Sequence, residues 1–214
     1  RFFSYSYYLS ELINKEINHI SVLVSQSSDL QIKVSEPSGM PLNIYENPNK
    51  IKGLILLCCK SSRSSIYLQS LLSSNIFPEY IIYMNSDIAT YEYERYPYIK
   101  SNPTSDWIFL PKEYINPIEL AKENNIKLIH IKTNSVNSKL IFDQLTSVNP
   151  KLIIYCGYSG EIVSPELIEK FKFLHCHAGS LPKFRGSTTF YYEILSKKLP
   201  TVSCILLNKR IDTG

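Results

Sequence analysis

From residue 51 onward, continuous apolar runs alternate with segments whose apolar residues recur at helical spacing, and few folds accept that alternation. Gly53-Leu-Ile-Leu-Leu-Cys-Cys59 is apolar without a break, as expected of a strand buried on both faces. Glu79–Met84, Ile126–Ile131 and Lys151–Cys156 read as further strands. Between them, Tyr67, Leu68, Leu71 and Leu72 fall on one helical face, and Leu140, Ile141, Leu145 and Val148 form another stripe. Helix starts are marked by Asn116-Pro117 with Glu119 behind it, and by Ser164 before Pro165. Strands alternating with helices predict an α/β fold: a doubly wound, mostly parallel, Rossmann-like sheet with ligands beyond the carboxyl ends of its strands.

Residues 1–50 have a different texture. Ile20–Val24 and Leu30–Val34 suggest a β-hairpin, followed by a loop carrying Pro37, Gly39, Pro41 and Pro48. The expected division is therefore an N-terminal appendage over 1–50 and a main domain over 51–214, the latter ending abruptly after Asp212-Thr213-Gly214. A second irregular stretch, about 87–116, concentrates Tyr91, Tyr93, Tyr96, Tyr98, Trp107 and Phe109. Such a loop either packs on its own rings or offers a stacking surface to a base or sugar.

Composition narrows the classes. With 44% apolar and 20% charged residues, the 214-residue chain can build a sizeable core. A net charge of +4 gives no nucleic-acid signature, and no apolar run reaches the roughly 18 residues of a membrane span. Cys58, Cys59, Cys156, Cys176 and Cys204 mostly sit in apolar runs, as reduced thiols of a cytoplasmic protein would.

The segment that carries chemistry is Phe173-Leu-His-Cys-His-Ala-Gly-Ser-Leu-Pro-Lys-Phe-Arg-Gly186. In a strand, His175 and His177 point to one side and Cys176 to the other. Two imidazoles at a strand end suit acid–base chemistry or a metal; no Cys-x-x-Cys or third ligand at typical spacing supports the metal. The turn Lys60-Ser-Ser-Arg-Ser-Ser65 reads as a solvated helix start, or as a phosphate site using Lys60 and Arg63. It lacks a Gly-rich fingerprint.

At His177, Leu181, Pro182, Lys183, Phe184, Arg185 and Gly186, with Asp212 35 residues after His177, the chain resembles the folate-dependent formyltransferases. That family includes the methionyl-tRNA, glycinamide ribonucleotide and sugar-nucleotide formyltransferases. Asn149–Tyr158 and Ser164-Pro165 also resemble the family's strand, loop and helix start. Four positions depart from its pattern: His175 stands for Asn, Ala178 for Pro, Gly179 for Ser and Ser180 for Leu.

The resemblance implies 10-formyltetrahydrofolate as formyl donor, no metal, and a primary amine as acceptor. His177 would donate to the formyl oxygen, and Asp212 would orient that imidazole and help take the amine proton. His175 would either replace the Asn as a second donor or mark a degenerate site. Gly160, Glu161, Ile162 and Val163 match the stretch whose backbone holds the pterin.

By elimination, the acceptor expected is a nucleotide-linked amino sugar or another small metabolite. The alternatives are hydrolysis of the formylfolate and a non-catalytic folate- or partner-binding relative. A homodimer is compatible with this reading; membrane and nucleic acid are not expected.

Overall fold

The computed structural model describes residues 22–24, 32–34, 50–86, 95–97, 111, 113–186, 188–196 and 201–213. Its centre is β3 (Lys50–Cys59), a ten-residue strand buried without interruption from Gly53 to Cys59. Continuous burial requires a sheet neighbour on each edge and a helix layer on each face. Strands β4 (Phe77–Met84) and β7 (Lys127–Ile131) extend the sheet on one side of β3. Strands β8 (Leu152–Cys156), β9 (Phe173–His177) and β10 (Ser203–Leu206) extend it on the other. The spatial order is β10-β9-β8-β3-β4-β7, parallel throughout except for antiparallel β10.

Helix α1 (Ser62–Ser73) starts where the Ser61 hydroxyl accepts the Ser64 N–H, and α2 (Pro117–Glu123) where Asn116 accepts from Ile118. Tyr67, Leu68, Leu71, Leu120 and Ala121 pack from these two helices onto Leu54, Leu56, Cys58 and Ile81. Helices α3 (Lys139–Val148) and α4 (Pro165–Lys170) are capped by Ser138 and Ser164. They cover the opposite face, where Ile141, Leu145 and Leu167 meet Ile55, Leu57, Ile153 and Phe173. Truncating a residue as buried as Leu56 to Ala should cost about 2–5 kcal/mol. The expected doubly wound arrangement is thus present.

Chain order decides where a ligand can sit. The chain runs outward through β3, β4 and β7, returns to lay β8 on the far side of β3, then continues to β9 and β10. Connections therefore leave β3 and β8 in opposite directions, opening a crevice beyond their carboxyl ends.

Some expectations need adjustment. Strand β3 begins at Lys50, and its register with β4 shifts between Ile51 and Ile55, where the Gly53 N–H donates to Glu79 Oε2 at 2.6 Å. Leu140 is 56% exposed, so the α3 stripe narrows to Ile141 and Leu145, with Val148 at its edge. The N-terminal hairpin pairs β1 (Val22–Val24) with β2 (Ile32–Val34). Within the aromatic stretch, β5 (Arg95–Pro97) pairs with β6 (Glu113–Ile115), setting Tyr96 opposite Tyr114. Tyr91, Tyr93, Tyr98, Trp107 and Phe109 lie outside the described residues. No helix among the described residues is long and apolar enough to cross a membrane.

Candidate active site

The crevice is a cleft of about 400 Å³, a size suited to a small ligand. Four segments meet in it: Arg63 from α1, the loop 157–163 after β8, His175 and His177 from β9, and Asp212 beyond β10. Alternation along β9 sends Cys176 the other way, into the core beside Cys58 and Cys156, with its Sγ 3.6 Å from Cys204 Sγ. All five thiols are free.

His177 is held at both ring nitrogens. Nε2 lies 2.7 Å from the Phe184 carbonyl, which can only accept, so Nε2 carries a proton. Nδ1 lies 3.5 Å from Asp212 Oδ1. The other Asp212 oxygen accepts the Gly186 N–H at 2.7 Å, and Asp212 itself adopts a left-handed backbone, φ 52°, that Asp tolerates better than most residues.

The Leu-Pro-Lys-Phe-Arg-Gly turn, with a cis Leu181–Pro182 bond, thus grips both members of the pair through its backbone. A Cβ at Gly179 would stand 3.1 Å from the Phe184 carbonyl and 3.2 Å from His177 Nε2. Its tightest contact would be with Thr189 Oγ1 at 2.8 Å, so a side chain here would press on the Thr189 hydroxyl first.

His175 differs from its neighbour. It is only partly exposed, and its Nδ1 is buried without a hydrogen-bond partner among the described residues. Burial pulls its pKa below the ordinary histidine value, an effect that contact with the Tyr155 backbone partly opposes and the Arg63 charge reinforces. The imidazole is therefore neutral near pH 7, with one nitrogen to donate and one to accept.

Of the two cations singled out in the sequence, only Arg63 lines the cleft, donating from its guanidinium to the Gly157 carbonyl. Lys60 is exposed and does not line it. Arg63 is likewise exposed, as the second residue of α1, and its guanidinium reaches the loop after β8.

The stretch Gly160–Val163 lines the cleft, but its side chains are largely engaged elsewhere. The Glu161 carboxylate accepts from Ser135 Oγ and the Val136 N–H, and Val163 is buried in the core. The Ile162 carbonyl accepts from Asn137 Nδ2 at 2.8 Å, while the Ile162 side chain is 64% exposed. No group of three or more His, Cys, Asp or Glu able to hold a metal ion occurs among the described residues.

Two residues here escaped the sequence analysis. Tyr155 stands in the cleft floor next to His175, ring centroids 6.3 Å apart. Its one sequence signal is a polar tip inside an otherwise apolar strand. Glu193, on α5 (Thr189–Leu195), is fully buried. It accepts the Ser180 N–H at 2.9 Å, the Thr201 N–H at 2.9 Å and the Thr201 hydroxyl at 2.8 Å, tying the turn after β9 to the segment just before β10. A single acid in the aromatic run Thr-Phe-Tyr-Tyr-Glu-Ile-Leu was its signal.

No protein-family model matches this chain. Sequence comparison finds methionyl-tRNA formyltransferases. That of Nitratiruptor sp. is 26% identical over 107 residues, 48% of this chain and 35% of the relative. That of Finegoldia magna is 33% identical over 87 residues, 39% of this chain and 28% of the relative. The matched stretches thus span about a third of these relatives' length. Among solved structures, phosphoribosylglycinamide formyltransferase from Anaplasma phagocytophilum aligns over 75% of this chain and 67% of its own, with 14% identity and a TM-score of 0.48. A sugar N-formyltransferase from Shewanella sp. aligns over 75% and 53%, with 17% identity and a TM-score of 0.44.

Proposed function

We propose that this chain, whose sequence is similar to methionyl-tRNA formyltransferases, is a folate-dependent formyltransferase that moves a formyl group from 10-formyltetrahydrofolate to a primary amine. The observation that carries this reading is the His177–Asp212 pair, 3.5 Å apart in the same cleft as the 157–163 backbone wall. The pterin edge would be read by backbone groups of Gly160, Glu161, Ile162 and Val163. Formyl transfer develops negative charge on the formyl oxygen, and preorganised donors lower that barrier.

His177, held by Asp212 and the Phe184 carbonyl, and the neutral His175, which can donate from one ring nitrogen, are assigned as the donors to that oxygen. His177 contributes once its Nε2 proton is shared away from Phe184. Asp212, beside Nδ1, orients that imidazole and helps take the amine proton as the amine nitrogen attacks the formyl carbon; the C–N10 bond then breaks, and tetrahydrofolate leaves with N10 gaining a proton.

Transfer is assigned to residues 51–214, with 1–50 as an appendage outside the chemistry. The proposed acceptor is the amine of a nucleotide-linked sugar or a related small metabolite, a choice supported by Arg63 as a cation at the cleft wall. The test is incubation with 10-formyltetrahydrofolate, with and without a panel of sugar-nucleotide amines. Amine-dependent release of tetrahydrofolate is expected. Amine-independent release would replace transfer by hydrolysis, and no release would leave a binding protein.

A further inference from the structure

A tyrosine whose ring alone would satisfy its packing carries a hydroxyl with no hydrogen-bond partner among the described residues. Tyr155 is 4% exposed, and its ring meets Phe173 edge-on, centroids 6.0 Å apart at 85°. Phenylalanine would make the same contact. The hydroxyl is nonetheless buried, without a partner among the described residues, and leaving it so costs stability. Gly157 makes room for it, since a Cβ there would overlap the Tyr155 hydroxyl and ring. Strand pairing explains the neighbour: β8 and β9 are parallel with Ile154 opposite Leu174, which puts Tyr155 beside His175. Tyr155 and His175 thus both line the cleft, and each carries a buried polar atom, the hydroxyl and Nδ1, without a hydrogen-bond partner among the described residues.

We infer that the Tyr155 hydroxyl is a substrate-facing hydrogen-bond donor of this cleft, working with His175 on the formyl oxygen of the donor substrate. This rests on the transferase reading and adds to it a residue that the family motif does not supply. Burial pushes the phenol above its ordinary pKa, so it stays protonated and can only help as a donor or neutral acceptor. An oxygen gaining charge is the ligand atom that a buried phenol serves best. Retaining an unpaired hydroxyl at a cost to the folded state is what a site built for a ligand would do.

The test is Tyr155→Phe, read three ways. Without ligand, the variant should melt at or above the wild-type temperature, because it loses a group with no structural partner. In binding, 10-formyltetrahydrofolate should raise the wild-type melting temperature more than tetrahydrofolate does, and Tyr155→Phe should lose that difference while still binding both. In turnover, kcat should fall about ten- to a hundredfold with KM for the folate little changed.

A variant that melts several degrees lower would overturn the inference by revealing a structural role for the hydroxyl. Unchanged kcat together with an unchanged preference for the formylated ligand would overturn it as well. A wild type that binds neither folate sinks the transferase reading and takes the formyl assignment with it. Folate binding with Tyr155→Phe indistinguishable from wild type sinks the role of Tyr155 alone.

Discussion

Nδ1 of His177 lies 3.5 Å from Oδ1 of Asp212, although the two residues are 35 positions apart and sit on opposite sides of the Leu-Pro turn. One carboxylate thereby faces the imidazole and pins the Gly186 backbone. Asp212→Asn keeps the shape but presents an amide where an anion was. Its kcat is expected to fall about 10²–10³-fold, with folate binding, followed by fluorescence, retained. Folate binding lost together with turnover would mean that the carboxylate serves the loop and not the reaction.

His175 tests the departure from the family's Asn. His175→Asn should retain activity within about tenfold, because the amide also donates, whereas His175→Ala should lose about a hundredfold in kcat. His177→Ala should be at least as damaging. Wild-type kinetics in His175→Ala would remove that residue from the mechanism.

The lowered pKa of His175 also sets a pH dependence of stability. Its folded state prefers the neutral ring, so between its folded and unfolded pKa values the unfolded chain binds more protons. Its contribution is therefore present above about pH 6.5, the unfolded value, and is lost as pH falls through the folded one. Melting temperature should decline on acidification below that point, and less steeply in His175→Asn. Parallel slopes for the two proteins would contradict the assignment.

Glu193 behaves oppositely. Burial raises its carboxyl pKa, but hydrogen bonds from Ser180 and Thr201 outweigh this and bring it down to about 2. Its contribution is present above the ordinary carboxylate range near 4.3 and disappears as pH falls towards about 2. Glu193→Gln should lower the melting temperature by about 2–4 °C for each donor left poorly paired. It should also lower kcat more than the folate KM, because the turn it anchors carries the Phe184 carbonyl and not the 157–163 wall. An equal effect on both parameters would reduce Glu193 to general stability.

Gly157→Ala would drive a methyl group into the Tyr155 ring, an overlap that removing the hydroxyl alone does not relieve. A loss of about 1–3 kcal/mol is expected on chemical denaturation, the usual cost of overpacking, with Tyr155→Phe failing to restore it. Full rescue by Tyr155→Phe would mean that only the hydroxyl stands in the way.

Much of this molecule was written locally. Unbroken apolar runs such as Leu54–Cys59 cannot stay in water, and helix stripes with Ser and Asn caps fit only between them, so the layered sheet follows from period and spacing. The approach of Asp212 to His177 was expected only through the resemblance to the folate-dependent formyltransferases, since no local pattern joins residues 35 positions apart.

Which side chains the Leu-Pro turn would meet depended on strand order, which no local pattern encodes. Placing β8 beside β3 brought Arg63 to the Gly157 carbonyl, 94 residues away in the chain, while Lys60 stayed outside. Packing of the 135–137 turn against the 161 loop took the Glu161 carboxylate out of the cleft. Parallel pairing of β8 with β9 set Tyr155 next to His175, and the return of β10 beside β9 closed Glu193 over Ser180 and Thr201. Each of these contacts brings together groups from separate elements, so its partner exists only once the sheet has assembled.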